Sequence, residues 1–456
     1  MFLYQLMRFY KRVIYVFSLL LLANLSFAQL SMKSFKSDFT KKARRESFKN
    51  YLLEKNIKET FRGPLNHTTT HQFEDACLSV TQFLIRNSDV ENGFNKLFEA
   101  YFRQPVSLRQ AFLSSVYATY PKKYAEEIKK ILPFERDPKV FSIAAVYLFR
   151  HDTSAQNVNY LVTQTNKQFA NSDTLPILVE LKKYLTRFQW QKNQKAPDIN
   201  QLFIYQRLYG RKTVYSFQRW NRDYNGIAII QNKDGSFAKD ENGKVLMIEQ
   251  LARSGSDLPY FITNGSTPQG IYSIAGIGHS INNLIGPTTN LQSVIPYQNE
   301  YLFWRGMPYD STAGTYTNYQ RLLPPSWQNY APMYESYYAG FIGRRYIIVH
   351  GTTLDPAFFK DESFYPNAPT DGCLSGTEIW ADDGTLQRSE QFRLANAFVS
   401  TPDSTGLLIV VNIDNKNKAV TREEIQMYID VFEGRLAKPA GARLEASDIP
   451  KPKSLQ

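Results

Sequence analysis

Cysteine and histidine are scarce in this chain, which has 456 residues but only two cysteines and five histidines. Two cysteines cannot make the disulfide framework that stabilises many small exported domains. The sequence also lacks zinc-finger spacings and RNA-binding aromatic motifs, so we predict no nucleic-acid partner despite a formal net charge of +12. That charge indicates either an ordinary solvated basic surface or an attraction to anionic polymers and lipid headgroups.

Long apolar runs are also missing, except near the N-terminus. There, basic residues precede an apolar run from Val13 to Leu25, and a small-x-small cleavage site ends at Ala28. This order is typical of a secretory signal, and the run is shorter than the roughly 20 residues that a membrane span needs. We predict a cleaved signal peptide over 1–28 and a mature chain, in the periplasm or outside the cell, with no stable membrane span. An uncleaved anchor is the alternative.

The next part of the sequence, 29–192, has the pattern of an α-helical module. Stretches such as "SDFTKKARRESFKNYLLEKNI" place apolar residues three and four apart among charges, and prolines separate one stretch from the next. We expect the module to fold independently and to contribute no catalytic side chain. The polar segment "QKNQKAPDIN" indicates a domain edge, and we assign 193–221 as a connecting segment. The C-terminal residues 435–456 are basic, poor in apolar side chains and predicted to be disordered.

Residues 222–434 have the sequence pattern of short strands joined by turns. "GIAIIQNKDGSFAKDENGKVLMIEQL" predicts a hairpin, and "TGLLIVVNID" predicts a buried strand. After that strand, Thr421 and Glu424 form a capping-box pattern for a helix that runs to about Phe432. The aromatic stretch Tyr297–Tyr346 indicates a core under long loops, the wall of a substrate groove, or both. The fold class we predict is therefore multidomain α + β, a helical module followed by a mostly β domain.

The two cysteines lie in very different settings. Cys77 falls on the apolar stripe of a predicted helix in "FEDACLSVTQFLI", which favours a buried, inert thiol. Cys373 lies in "PTDGCLSGTE", where Gly372 allows a close approach of the backbone and the Cys373 N–H can serve an oxyanion. A nucleophilic cysteine needs a base, and His350 ends the predicted strand "YIIVHGTT". A disulfide between the two cysteines is the structural alternative.

Three segments of the β-rich part resemble a known family. "TPQGIYSI", "HGTT" and "TDGCLS" occur in the order found in the L,D-transpeptidase catalytic domain, the YkuD-like family. The resemblance covers less than half of the chain. It implies a β-sandwich-like domain of mixed sheets, Cys373 as the nucleophile and His350 as its base. It also implies peptidoglycan stem peptides as substrates and a thioacyl-enzyme intermediate, with no cofactor and no metal.

The resemblance also suggests which residues surround the two reacting groups. The oxyanion and substrate-positioning candidates are Gly372, Asp371, Thr370, Gly351 and Ser375, and the motif match makes Tyr272 a candidate for a substrate groove. Apart from the resemblance, the aromatic stretch adds Trp304 and Trp327 to the groove candidates, because each lies next to turn signals. His279, near the "TPQG" segment, is either a loop histidine or a further groove candidate. Two positions depart from the family pattern, because Asp371 stands where histidine is common and Ser375 where arginine or asparagine is common. A carboxylate beside the cysteine tends to raise the thiol pKa. These departures change expected substrate contacts, but they leave the nucleophile and the base in place.

Several functions remain open at this point. The acyl acceptor decides between cross-linking, anchoring of a protein amine, exchange of a D-amino acid and hydrolysis by an L,D-carboxypeptidase. A different class is a non-catalytic wall-binding scaffold, in which the helical module binds other envelope proteins. His67 and His71 have the spacing of a helical zinc pair, but the threonines between them favour a capped helix start. We therefore predict no metal site.

Overall fold

The structure is a computed structural model that describes residues 31–436. The predicted signal peptide, 1–28, and the residues from 437 onward lie outside the described residues. The fourteen helices that we label are α1 Lys42–Asn50, α2 Thr70–Phe83, α3 Ser88–Glu99, α4 Val106–Thr119, α5 Ala125–Ile131, α6 Pro138–His151, α7 Ala155–Gln168, α8 Pro176–Asn193, α9 Ile199–Leu208, α10 Glu300–Trp304, α11 Thr315–Gln320, α12 Glu335–Ile342, α13 Glu390–Val399 and α14 Arg422–Phe432. In the part of the chain that is described, none of the helices is both long and apolar enough to cross a membrane.

The helical module is present, and α1 to α8 form it. Helix α1 continues through a π-helical turn, Tyr51–Glu59, and α6 begins where the Asp137 carboxylate accepts the first free N–H groups of the helix. Before α1 the chain is not α-helical, since it makes two 3₁₀ turns. Between those turns Lys36 forms a β-bridge with Thr385, far away in the sequence.

The β-rich part contains one large mixed sheet and one small one. The strands are β1 Thr213–Arg219, β2 Gly226–Gln231, β3 Ile248–Gln250, β4 Gly270–Gly278, β5 Asn290–Val294, β6 Val349–His350, β7 Leu374–Ser375, β8 Glu378–Trp380, β9 Leu386–Ser389 and β10 Gly406–Asp414. Eight of them follow the order β3-β2-β1-β10-β4-β5-β6-β7, while β8 and β9 pair separately. Leu251, just after β3, forms two backbone hydrogen bonds with Ser375 of β7: each residue donates its N–H to the carbonyl of the other. The large sheet therefore nearly closes on itself. This barrel-like sheet replaces the sandwich that we expected.

Both faces of the large sheet are buried, which explains the continuous apolar run of β10. Leu408 and Val410 point to the inside of the barrel, against α13. Leu407 and Ile409 point outward into a second core beneath α9, α14 and the aromatic stretch. A strand that is buried on both faces loses the apolar–polar alternation of a surface strand. The predicted hairpin, β2 with β3, and the Thr421 capping box of α14 are both confirmed.

The segment that we assigned as a connection, 193–221, differs from the prediction. It contains α9 and β1, and β1 lies near the middle of the sheet, parallel to β10 along its whole length. Of the segment "QKNQKAPDIN", only residues 194–198 lie between helices, because the first three residues end α8 and the last two begin α9. The apolar residues that follow are buried against the outer face of the sheet, so the β domain begins well before residue 222.

The helical module and the β-rich part share one hydrophobic core. Leu258, Phe261, Phe359 and Phe364 belong to the same buried cluster as the helices. Two ion pairs cross the boundary: Arg150 lies 3.3 Å from Asp257, and Arg86 lies 2.8 Å from Glu362. A continuous core of this kind is typical of parts that fold together, and it argues against the independent module that we expected.

Candidate active site

Two of the three motifs are joined by hydrogen bonds at the turn that holds Cys373. The Thr370 hydroxyl donates to the Cys373 carbonyl at 2.8 Å and accepts the Gly372 N–H at 3.1 Å, which closes the turn. From the neighbouring segment, the Thr267 hydroxyl donates to the Gly372 carbonyl at 3.0 Å. The "TPQG" segment thus supports the "TDGC" turn from one side.

Position 372 requires glycine. Its φ is +109°, a region that side chains rarely adopt. A Cβ there would lie 2.3 Å from Nη2 of Arg344 and 2.5 Å from the carbonyl oxygen of Gly265. The turn therefore brings the cysteine backbone directly against a buried guanidinium.

His350 and Cys373 lie on neighbouring parallel strands. The register pairs Val349 with Leu374 and His350 with Ser375, and both Val349 and Leu374 point into the barrel core. Because side chains alternate along a strand, His350 and Cys373 share the opposite face. Among the described residues, no hydrogen bond joins the thiol to the imidazole.

The proton on the His350 ring has a defined place. Nδ1 is hydrogen-bonded to the Gly351 carbonyl, and a carbonyl only accepts, so Nδ1 carries the proton. Nε2 is therefore the basic nitrogen. Burial lowers the pKa of His350, so the ring is neutral near pH 7 and is able to accept a proton.

The surroundings of the Cys373 thiol favour its protonated form near pH 7. Sγ donates to the Tyr346 carbonyl and accepts the Ile348 N–H, each at 3.4 Å. Burial raises the pKa of Cys373 to about 11; the Asp371 charge adds to the rise, while the Ile348 N–H and Arg344 oppose it. A thiol of this kind reacts only if a base removes its proton during the attack.

Arg344 is a site residue that we did not predict. It is buried, and it donates to three carbonyl oxygens, those of Tyr260 at 2.5 Å, Gly265 at 2.8 Å and Ser266 at 3.1 Å. Burial lowers the pKa of Arg344 to about 10, which still leaves it charged near pH 7. The available signal was the pair of arginines that opens "RRYIIVHG", because adjacent side chains in an extended segment point to opposite faces and one of the two is then directed inward.

Glu378 is a second residue that the sequence reading missed. Its carboxylate accepts the Thr352 N–H at 3.0 Å and the Ser389 hydroxyl at 2.7 Å. A Cβ on Gly351 would lie 2.1 Å from its carboxyl carbon, so Gly351 is needed for this close approach. Burial raises the pKa of Glu378 to about 7. Glu378 thus supports the backbone that holds the His350 ring, and its charge among apolar neighbours in "TEIW" was the available signal.

Of the two backbone groups expected to hold an oxyanion, only the Cys373 N–H is free of partners among the described residues. The Gly372 N–H is already bonded to Thr370, whereas the Cys373 N–H makes no hydrogen bond with any described residue. Cys373 therefore offers the free donor, with the Arg344 charge close by. Asp371 is exposed and has no hydrogen bond or ion pair within residues 31–436.

Three of the predicted substrate contacts are wrong, because their side chains are buried. Ser375 donates its hydroxyl to the Ala368 carbonyl at 2.8 Å. Tyr272 donates to the Pro268 carbonyl at 2.7 Å, inside the barrel. The indole N–H of Trp327 donates to the Asp198 carbonyl at 3.1 Å, in the outer core. Each satisfies its polar atom within the protein, so none can line a groove.

The side chains of the other two groove candidates reach solvent. Trp304 is half-buried and packs on Tyr309, with ring centroids 4.9 Å apart. His279 is exposed, and its Nδ1 is bonded to the Pro287 carbonyl. The aromatic residue whose backbone carbonyl contacts the thiol is Tyr346, and its side chain is 79% exposed. It belongs to the stretch that we expected to form a groove wall.

The structure also bears on two alternatives from the sequence, a disulfide between the cysteines and a zinc site at the histidine pair. Both cysteines are free, so the alternative of a 77–373 disulfide is wrong. Cys77 is fully buried, and burial raises its pKa to about 12. Nε2 of His71 lies 3.8 Å from the Asp75 carboxylate, and within residues 31–436 no group of three potential ligands could hold a metal ion.

Comparison of the chain with protein-family models, with curated proteins and with solved structures finds no match in any of the three. The resemblance to the L,D-transpeptidase family therefore depends on the three motifs and on the geometry around them.

Proposed function

We propose that the chain is an exported cysteine acyltransferase that acts on peptidoglycan stem peptides in the manner of an L,D-transpeptidase. One observation carries the proposal: the three motifs converge on Cys373, with Thr267 bonded to its turn and His350 on the adjacent strand. The charge balance of the chain and its N-terminal signal pattern also support an envelope enzyme. The finer assignment of the barrel-like sheet to the YkuD type is part of the same proposal.

In the first half-reaction, His350 Nε2 takes the proton from the Cys373 thiol as Sγ attacks a carbonyl carbon of the stem peptide. The Cys373 N–H and the Arg344 charge stabilise the oxyanion that forms. Protonated His350 then gives its proton to the leaving nitrogen, and the terminal D-amino acid departs. The products are a thioester on Cys373 and a free amino acid.

In the second half-reaction, an amine attacks the thioester carbonyl. His350 accepts a proton from that amine and returns it to Sγ as the carbon–sulfur bond breaks. A new amide and a free thiol result, and neither step needs a cofactor. An amine on a second stem gives a cross-link, an amine on a protein gives anchoring, and water in its place gives hydrolysis.

The test uses a stem tetrapeptide that ends in D-alanine. Incubated with the purified chain, it should release D-alanine and leave a thioacyl adduct visible in the intact mass. Cys373→Ala should show neither signal, while Cys77→Ala should behave as the wild type does. Release of D-alanine by Cys373→Ala would contradict the proposal.

Two observations favour a second candidate, a wall-binding protein without catalysis. The raised pKa of Cys373 and the missing hydrogen bond to His350 both describe a thiol at rest. In that case the stem peptide should bind with the same affinity to the wild type and to Cys373→Ala, and D-alanine should not be released from either.

A further inference from the structure

An open cavity of ≈ 340 Å³ lies between the helical module and the β-rich part. Its apolar wall is aromatic and comes from both sides of the boundary: Phe149, Tyr184 and Phe188 belong to the module, and Trp220 and Tyr260 to the β-rich part. Cavities of this size bind small molecules when a few polar groups converge on them. The cavity does not include the thiol or the imidazole of the candidate active site.

Arg222 lines this cavity with an unused hydrogen-bond donor. The residue is 8% exposed; its Nη2 donates to the Thr267 carbonyl at 3.1 Å, and its Nη1 has no partner. It makes no ion pair with any carboxylate in the described part of the chain. The neighbouring Arg219 shows the usual arrangement, because it is buried and pairs with Asp414 at 2.7 Å and Glu424 at 2.5 Å. The carboxylates of Glu335 and Asp257, which also line the cavity, attract this guanidinium at longer range, but neither forms an ion pair with it. Nη1 therefore keeps an unused donor that an anion from outside can accept from.

An unused acceptor faces the same cavity. Asn412 is 3% exposed, and its Oδ1 has no hydrogen-bond partner. The carboxylate of Glu335 also lines the cavity, but it is already bonded to the backbone N–H and the side chain of Gln269. The free groups are thus one cationic donor and one neutral acceptor beside an aromatic wall.

We propose that this cavity binds the carboxylate end of an N-acylated apolar amino acid or a peptide. The carboxylate accepts from Arg222 Nη1, the adjacent amide N–H donates to Asn412 Oδ1, and the apolar side chain packs against the aromatic wall. The site is separate from Cys373, and the inference does not depend on the proposed acyl transfer. The bound molecule would nevertheless contact the support of the cysteine turn, because Thr267 accepts from Arg222 and donates to Gly372.

Calorimetric titration of the purified chain tests the proposal with two probes that differ only in charge. N-acetyl-phenylalanine should bind at least about 10-fold more tightly than its neutral amide, as expected for one charge-assisted hydrogen bond. Arg222→Gln should remove this difference. Arg211→Gln is the matched control, since Arg211 is also 8% exposed but lines a different cavity, and it should bind as the wild type does.

A second variant answers the question if Arg222→Gln does not fold. Asn412→Asp places a negative charge beside Arg222, which repels the probe's carboxylate and should weaken binding by about 10-fold. Equal affinity for the two probes overturns the proposal, as does the absence of binding by either. A folded Arg222→Gln variant that still prefers the carboxylate probe also overturns it.

Discussion

Replacing Glu378 by glutamine should make the chain more stable at high pH and leave it nearly unchanged at low pH. The carboxylate is buried beside the His350–Gly351 turn, and burial raises its pKa from 4.5 to about 7. Glutamine keeps an oxygen for the Thr352 N–H but cannot ionise. The substitution therefore removes one titration while preserving most of the packing.

The sign and size of the effect follow from proton linkage. A carboxyl whose pKa is higher in the folded than in the unfolded chain contributes stability below pH 4.5 and loses it as pH rises through about 7. The whole rise corresponds to on the order of 3 kcal/mol in the free energy of unfolding. Glu335 titrates in the same range, because burial raises its pKa to about 7 too, but it is unchanged in this comparison.

Urea unfolding followed by circular dichroism at pH 5, 6, 7 and 8 measures the difference between the wild type and Glu378→Gln. The variant should gain on the order of 3 kcal/mol relative to the wild type between pH 5 and pH 8. Glu424→Gln is the control. At Glu424 the effect of burial is outweighed by hydrogen bonds from Lys416, Thr421 and Arg219, which hold the pKa of its carboxyl well below the usual range. The difference in the free energy of unfolding between the wild type and Glu424→Gln should therefore stay constant from pH 5 to pH 8. A constant difference for Glu378→Gln would refute the reasoning.

The same contacts predict three more outcomes. Gly372→Ala should slow acylation of Cys373 by about 10²-fold, the scale of a misplaced reacting group, as measured by mass spectrometry; Gly343→Ala, with a similar φ of +112° but nothing within 4 Å, should not. Asp371→Asn should move the alkylation of Cys373 by iodoacetamide to lower pH, because the carboxylate raises the thiol pKa; an unchanged profile would argue against this. A fragment that starts at Ile199 should unfold without cooperativity, because it exposes the shared core; a cooperative fragment with a reactive thiol would be inconsistent with that core.

That His350 and Cys373 lie on one face of the sheet could be predicted from the sequence, because each residue stands at the edge of a short strand. A histidine at the end of one short strand and a cysteine at the start of another reach the same face once the two strands pair. The turn chemistry is local, since Thr370 and Gly372 act within four residues of each other. The buried strand β10 and the capped helix α14 were predicted for the same reason.

The remaining features depend on contacts between distant segments. No local pattern shows that Glu378 fills the space beside Gly351, or that Arg344 finds its three acceptors in the 260–266 segment. Tyr272 and Trp327 were assigned to a groove because aromatic rings serve both cores and sugar-binding surfaces, and only packing separates the two uses. The position of β1 was missed because the polar run before it resembled a linker.

The central claim is that Cys373 is a nucleophile and His350 its base, and acylation by a carbapenem tests it most directly. The intact mass of the purified chain should increase by one adduct, located on Cys373 by peptide mapping. His350→Ala should slow the reaction by about 10²-fold or more, the scale of a lost general base, and Cys77→Ala should leave the rate unchanged. An adduct that persists in Cys373→Ala, or a wild-type chain that stays unmodified, would contradict the account.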